Sequence, residues 1–163
     1  MNTQIGAVKA STLYHVECRD KNGNLKWTEE VPNLVVNQGL DYLLTAGFKN
    51  GAIANWFVGL KGTGSAAAGD TIASHGGWSE ITAYTGDRKA LTLGSVSGQS
   101  VSNTASKAEF AITGSATVAG AFICSAASGT SGTLYGVANF ASSRGVESDD
   151  TLEVTATLTS AAA

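Results

Sequence analysis

Residues 152–158, Leu-Glu-Val-Thr-Ala-Thr-Leu, alternate apolar and polar side chains along their whole length. Successive side chains of an extended chain point to opposite faces, so this alternation predicts a strand with one face on a core and the other in solvent. The residues on the core face would be Leu152, Val154, Ala156 and Leu158. This stretch decides the fold class, because the chain before it carries further signals of the same kind.

Short apolar segments of strand length recur upstream of residue 152. They lie near residues 56–60, 78–84, 89–93, 107–113, 116–123 and 134–140. Gly, Ser and Asn separate these segments at fairly regular intervals, and those residues favour turns. Many short strands joined by Gly-rich turns predict an all-β fold, mainly an antiparallel β-sandwich of the jelly-roll kind.

The N-terminal part of the chain carries a β-hairpin signal. Residues 13–19 and 25–31 have strand character, and Asn22-Gly23 between them is a strong hairpin turn signal. Pro32 would stop the second strand. We therefore expect residues 1–32 to form an N-terminal arm and hairpin, and residues 33–163 to form the β-sandwich domain. The sequence leaves open whether the hairpin pairs with its own chain or with a partner.

One short α-helix is expected near residues 37–47. Asn37 can cap its N-terminus and Gly47 can end it. Leu40, Leu43 and Leu44 fall on one side, which predicts that the helix covers one face or open end of a sheet. A single helical turn is also expected over residues 70–75, with Asp70 as its cap.

The composition argues against several classes of function. The 163 residues (16.5 kDa) carry a formal net charge of −3, and only 14% of them are charged, which disfavours a nucleic-acid partner. Ala, Gly, Ser and Thr make up about half the chain. Residues 1–10 contain Lys9 and no apolar run, so we expect no signal peptide, and no apolar segment is long enough for a membrane span. Cys18 and Cys124 are expected to be buried free thiols.

No constellation typical of an enzyme or a metal site is evident. The Gly-x-Ser-x-Gly and phosphate-loop patterns are absent from the sequence. His75 lies beside Ser74 and near Asp70, but that spacing rarely builds a catalytic triad. The residues Glu147, Asp149 and Asp150 are compatible with a weak Ca²⁺ site or, as we expect, with a solvated turn. We therefore expect no enzyme activity, no catalytic residue, no cofactor and no metal.

Aromatic side chains are the candidates for contact with a partner, because interfaces are enriched in Trp and Tyr. The candidate interface residues are Tyr14, Trp27 and Trp78. Trp27 is the leading candidate, since it lies on the charged hairpin, and its alternative role is packing on its own chain. A carbohydrate-binding role would instead need Trp27, Trp78 and Tyr84 exposed on one face.

Several segments resemble a family of small structural proteins of tailed bacteriophages. The resemblance rests on residues 33–43, 56–60 and, most specifically, 74–80, Ser-His-Gly-Gly-Trp-Ser-Glu, and it covers about residues 13–160. It implies a protein of the virion and, more narrowly, a capsid decoration (cement) protein made in the host bacterial cytoplasm. It implies no catalytic residues.

The partners expected on this basis are the major capsid protein of the same particle and further copies of this chain, as a trimer or dimer. Decoration would stabilise the shell by adding contacts between its subunits. The alternatives are a tail, neck or fibre component, and a carbohydrate-binding β-sandwich for host attachment.

Overall fold

The computed structural model of the chain describes residues 7–162, which form ten strands and one helix. In chain order these are β1 (Val8–Arg19), β2 (Leu25–Val35), α1 (Asn37–Phe48), β3 (Phe57–Gly64), β4 (Trp78–Ile81), β5 (Lys89–Ala90), β6 (Ser100–Ser102), β7 (Ala108–Ala111), β8 (Ala116–Cys124), β9 (Leu134–Val146) and β10 (Thr151–Ala162). The strands pair antiparallel. The prediction of an all-β fold with one short helix is confirmed.

The strands form two layers that share β2. The first layer has β1 between β2 and β10, with β6 and β7 both paired to the far edge of β10. The second layer has β8 between β9 and β3, with β4 and β5 on β3. Residues 25–32 of β2 pair with β1, and residues 33–35 pair with β9. A strand that passes from one layer to the other makes a corner of the fold.

The main core lies between the two layers. The alternating residues of β10 point into it as expected, and so do the alternating residues of β1. These side chains are Leu152, Val154 and Ala156 of β10 with Tyr14, Val16 and Cys18 of β1. They meet Leu60 of β3, Ile123 of β8 and Phe140 of β9.

A second, smaller core covers the outer face of the second layer. Ile72 comes from the segment between β3 and β4, Trp78 is the first residue of β4, and both pack on Phe122 and Val137. The second layer is therefore buried on both faces, which explains why residues 120–124 of β8 are all buried instead of alternating.

The hairpin belongs to the sheet of its own chain. β1 pairs with β10 over twelve residues, from Val8 opposite Ala162 to Arg19 opposite Thr151. The boundary drawn at residue 32 falls inside β2, because Pro32 does not end the strand and instead marks the point where its partner changes from β1 to β9. Residues 1–6 of the predicted arm, and residue 163, lie outside the described residues.

Two local predictions differ from the structure. α1 begins at Asn37, so Val36 occupies the N-cap position and no side chain caps the helix. Residues 70–75 do not form a helical turn, because Thr71 and Ser74 exchange two backbone hydrogen bonds in a tight turn. Asp70 instead accepts hydrogen bonds from the Ala67 N–H and the Trp78 indole.

Candidate functional site

The aromatic interface candidates pack within the chain itself. Tyr14 is fully buried in the main core, so its ring cannot reach a partner in this fold. Trp78 is only 6% exposed, and its Nε1 donates to Asp70 Oδ2 at 2.9 Å. Trp27 is half-buried: its ring meets Phe140 edge-on and its Nε1 donates to the Gly145 carbonyl at 3.3 Å. Of the three, only Trp27 keeps partial access to solvent.

The segment 74–80 supplies the cover of the second layer. His75 stacks on Trp78 with ring centroids 4.0 Å apart, and Trp78 leans on Phe122 at 5.2 Å. Glu80 forms a bidentate ion pair with Arg88, with N–O distances of 2.8 and 2.7 Å. The His75 Nδ1 lies 3.2 Å from the Trp78 carbonyl. This histidine is therefore engaged in packing and turn contacts, and not in a pair with Ser74.

A buried lysine lies in β3, where it pairs with Glu80 of β4. Lys61 is fully buried, and its Nζ donates to the carbonyls of Gly62 (2.9 Å) and Gly64 (2.6 Å). Burial lowers the pKa of Lys61. Although a lysine of this kind is a chemical nucleophile, its amine is buried and bonded to the two carbonyls, so it stabilises the end of β3.

The acidic turn before β10 is a structural element. Asp150 is buried, and its Oδ2 accepts from Lys26 Nζ at 2.7 Å and from the Glu147 N–H at 2.9 Å. The Cys18 thiol lies 3.9 Å from the same oxygen. Burial raises the pKa of Cys18 to about 11, and the nearby Asp150 carboxylate contributes to that rise. Within residues 7–162 no group of three acidic, His or Cys side chains is placed to hold a metal ion.

Cys18 and Cys124 are free thiols, and both are buried. Burial also raises the pKa of Cys124. Neither sulfur can therefore act as an accessible thiolate near neutral pH.

The outer face of the first layer carries an ion-pair network. Lys107 Nζ lies between Glu17 Oε2 (2.8 Å) and Glu153 Oε2 (2.9 Å), and Arg19 contacts both glutamates at longer range. The hydrogen bond from Lys107 lowers the pKa of Glu17, and the Glu17 and Glu153 carboxylates raise the pKa of Lys107. We call these residues, with His15 and Glu30 beside them, the charged face.

The helix presents its apolar side to solvent. The residues of α1 that face the body are Gly39, Tyr42 and Ala46, whereas the exposed apolar residues are Leu40, Leu43, Leu44 and Phe48. We call these last four the α1 stripe. α1 does pack against the sheet, at β9, but it makes that contact through its small and aromatic residues and not through the leucine side that its periodicity indicated.

Close contacts hold α1 in this orientation. A Cβ on Gly39 would lie 2.2 Å from the Tyr135 carbonyl oxygen, so only glycine allows the helix to approach β9 this closely. The Tyr42 ring meets Trp56 edge-on, with ring centroids 4.8 Å apart. Its hydroxyl donates a hydrogen bond to the Ala52 carbonyl and accepts one from the Ala54 N–H, both in the loop after the helix. The exposed stripe is thus fixed by packing on the opposite side of the helix.

A shallow apolar groove of about 250 Å³ borders the α1 stripe. Leu43 and Val96 flank it, and Leu158, Val101 and Tyr135 contribute to its lining. Val96 is itself exposed. The stripe and groove form one apolar surface, which is suited to binding another apolar surface and carries no group for chemistry. The spacing of the leucines was visible in the sequence, but the contributions of Phe48 and Val96 were not.

No helix within residues 7–162 is long and apolar enough to cross a membrane. No family model matches the chain. No curated protein matches it closely enough to be counted as a relative.

Proposed function

We propose that the protein is a structural component of a bacteriophage particle, and specifically a capsid decoration (cement) protein that binds the assembled shell at its outer surface. It would associate with the major capsid protein and with other copies of itself, and it would not act as an enzyme. The resemblance of residues 74–80 to small phage structural proteins supports this proposal.

One structural observation supports an assembly role most directly. Residues able to do chemistry are engaged in internal contacts, as Lys61, Asp150 and Arg88 illustrate, while residues 7–162 leave the α1 stripe exposed. An exposed apolar patch of this kind is typical of a site for protein contact. Decoration would stabilise the shell because a ligand of the assembled state raises the free energy needed to separate its subunits.

Copy number in purified virions tests the proposal. Quantitative mass spectrometry would compare this chain with the major shell protein. A ratio approaching one is expected for decoration, whereas a few per cent would indicate the tail, neck or fibre alternative. Absence from purified particles would refute a virion role altogether.

An add-back experiment tests the stabilising effect. Particles lacking this chain would be mixed with purified protein, and the temperature of genome release would be recorded. Decoration predicts a rise that saturates when the binding sites are filled. An unchanged release temperature despite saturating binding would contradict the cement role while leaving a structural role intact.

The carbohydrate-binding alternative gains no support from the aromatic side chains. Trp78 and Tyr84 are buried and Trp27 is half-buried, so the three do not form an exposed aromatic platform. Binding to a panel of immobilised bacterial surface glycans would test this alternative directly.

A further inference from the structure

The α1 stripe is unusual because an amphipathic helix normally turns its apolar side to the core. Phe48 is 85% exposed and Leu44 is 59% exposed. Leu40, Leu44 and Phe48 are spaced four residues apart, so they form one ridge along the solvent side of the helix. A ridge of large apolar side chains is costly in water, and contact with another apolar surface would remove that cost.

The size of the patch matches one side of a protein interface. The α1 stripe and Val96 together expose on the order of 600 Å², judged from their exposed fractions, against roughly 800 Å² that each partner contributes to an interface of standard size. The polar and small residues around the stripe can supply the remainder as a rim.

The charge distribution is compatible with a second copy of this chain as the occupant. Each copy has a formal net charge of −3, so two copies repel unless they meet through a surface with few charges. α1 contains a single charged residue, Asp41, whereas the charged face lies on the outer side of the first layer. The stripe is therefore a surface through which two copies can approach with little repulsion.

The ridge is also compatible with its own two-fold copy. In an antiparallel pair of helices centred near Leu44, Leu40 of one copy would lie against Phe48 of the other. The same arrangement would bring the exposed Asp41 towards Lys49 of the second copy, which gives the pair opposite charges at its rim.

We infer that the α1 stripe is the contact through which two copies of this chain associate, helix against helix about a two-fold axis. This inference does not rest on a role in the virion, because it concerns the purified protein alone.

Sedimentation equilibrium with matched charge variants tests the inference. Leu44→Glu places a carboxylate in the centre of the stripe, and Leu25→Glu places one on the hairpin at a residue of similar exposure, 53%. The wild-type protein and Leu25→Glu should associate equally. Leu44→Glu should raise the dissociation constant of the dimer at least about a hundredfold, because two carboxylates would meet at the axis.

A cross-linking variant tests the geometry independently of affinity. Leu44→Cys should form a disulfide-linked dimer under mild oxidation, whereas Asn22→Cys at the hairpin tip should not. The native thiols do not interfere, because Cys18 and Cys124 are buried. Circular dichroism would establish that each variant keeps its fold.

Each outcome decides the inference. A wild-type chain that stays monomeric at every concentration overturns it, as does association that Leu44→Glu leaves unchanged. If the chain is monomeric but Leu44→Glu abolishes binding to shells, the stripe binds the capsid, so the inference fails while the proposed function gains support. A dimer disrupted by Leu44→Glu in a protein absent from virions would support the inference and refute the proposed function.

Discussion

The substitution Asn103→Ala should destabilise the protein more than its small change in volume suggests. β6 pairs with residues 157–159 of β10, and β7 pairs with residues 151–154, so the ladder along β10 is interrupted between them. Asn103 is fully buried at this interruption. Its Oδ1 accepts from the Ala156 N–H at 2.7 Å, and its Nδ2 donates to the Val154 carbonyl at 3.1 Å. The Asn103 side chain therefore makes two hydrogen bonds to the backbone of β10 where strand pairing is interrupted.

The expected loss follows from these two bonds. Alanine would leave the Ala156 N–H buried without its acceptor, at roughly 1–3 kcal/mol, and would remove one hydrogen bond to the Val154 carbonyl, at roughly 0.5–1.5 kcal/mol. The total, about 1.5–4.5 kcal/mol, is a large part of the roughly 5–15 kcal/mol that stabilises a typical domain. In urea the unfolding midpoint should fall by roughly 1–2 M without a change in slope, measured by Trp fluorescence.

Two comparison variants separate the hydrogen bonds from other effects. Asn139→Ala, at an exposed position of β9, should change stability by less than about 0.5 kcal/mol. Asn103→Asp keeps the acceptor but loses the donor, and a protonated carboxyl would restore that donor. Its folded pKa should therefore be raised, so the variant should be most stable below the ordinary Asp pKa and lose stability as pH rises. A loss below about 1 kcal/mol for Asn103→Ala, or no pH dependence for Asn103→Asp, would refute the reasoning.

Three further predictions concern the helix, the thiols and the charged face. Gly39→Ala should lower the stability of the protein by about 1–3 kcal/mol, because the added Cβ would clash with the Tyr135 backbone. Gly47→Ala, with open space around it, should be neutral or stabilising. Equal effects of the two substitutions in thermal unfolding would contradict the close approach of α1 to β9. Neither cysteine should react with a thiol reagent at pH 8 until urea is added, because both are buried and the pKa of Cys18 is raised to about 11. Labelling of the folded protein would contradict this prediction. Lys107→Met should lower stability by about 0.5–1 kcal/mol near pH 7. Because the folded pKa of Glu17 lies below its ordinary value of 4.5, that difference should be fully present above pH 4.5 and be lost as pH falls through the folded pKa. A difference that persists in stronger acid would show that the ion pairs are not its cause.

Local signals predicted much of the fold. The Asn22-Gly23 turn and the alternation of residues 152–158 depend only on neighbouring residues, and both features are present in the structure. Glu29, which interrupts the apolar face of β2, points inward nonetheless, because Arg144 from β9 pairs with it at 2.6 Å. Glu29 and Arg144 lie far apart in the chain, so the sequence of β2 alone could not indicate that Glu29 is buried.

The orientation of the helix could not be predicted from its periodicity. The pattern Leu40, Leu43, Leu44 correctly indicated one apolar side, but not which side the body would contact. That choice depends on the close approach of Gly39 to Tyr135 and on the contact of Tyr42 with Trp56. The periodicity therefore does not indicate that the leucine side is the exposed surface, and two of the three aromatic interface candidates, Tyr14 and Trp78, are buried in the cores.

The short strand β6 was also missed, since Ser100-Val101-Ser102 has too few apolar residues to stand out. Directly after β6, Asn103 bonds Val154 and Ala156 of β10, and a contact between segments so far apart in the chain leaves no local signal in the sequence.

The pairing of β1 with β10 has a consequence for synthesis of the chain. Arg19 and Thr151 are partners in the sheet, but the ribosome makes them more than a hundred residues apart. Because synthesis proceeds at roughly 5–20 residues per second, β10 is completed on the order of ten seconds after β1. During that interval one edge of the nascent hairpin is open to other chains. A protein made in many copies would then depend on chaperones, or on wide spacing of ribosomes on its messenger RNA, to keep the unpaired strand edges of nascent chains from associating.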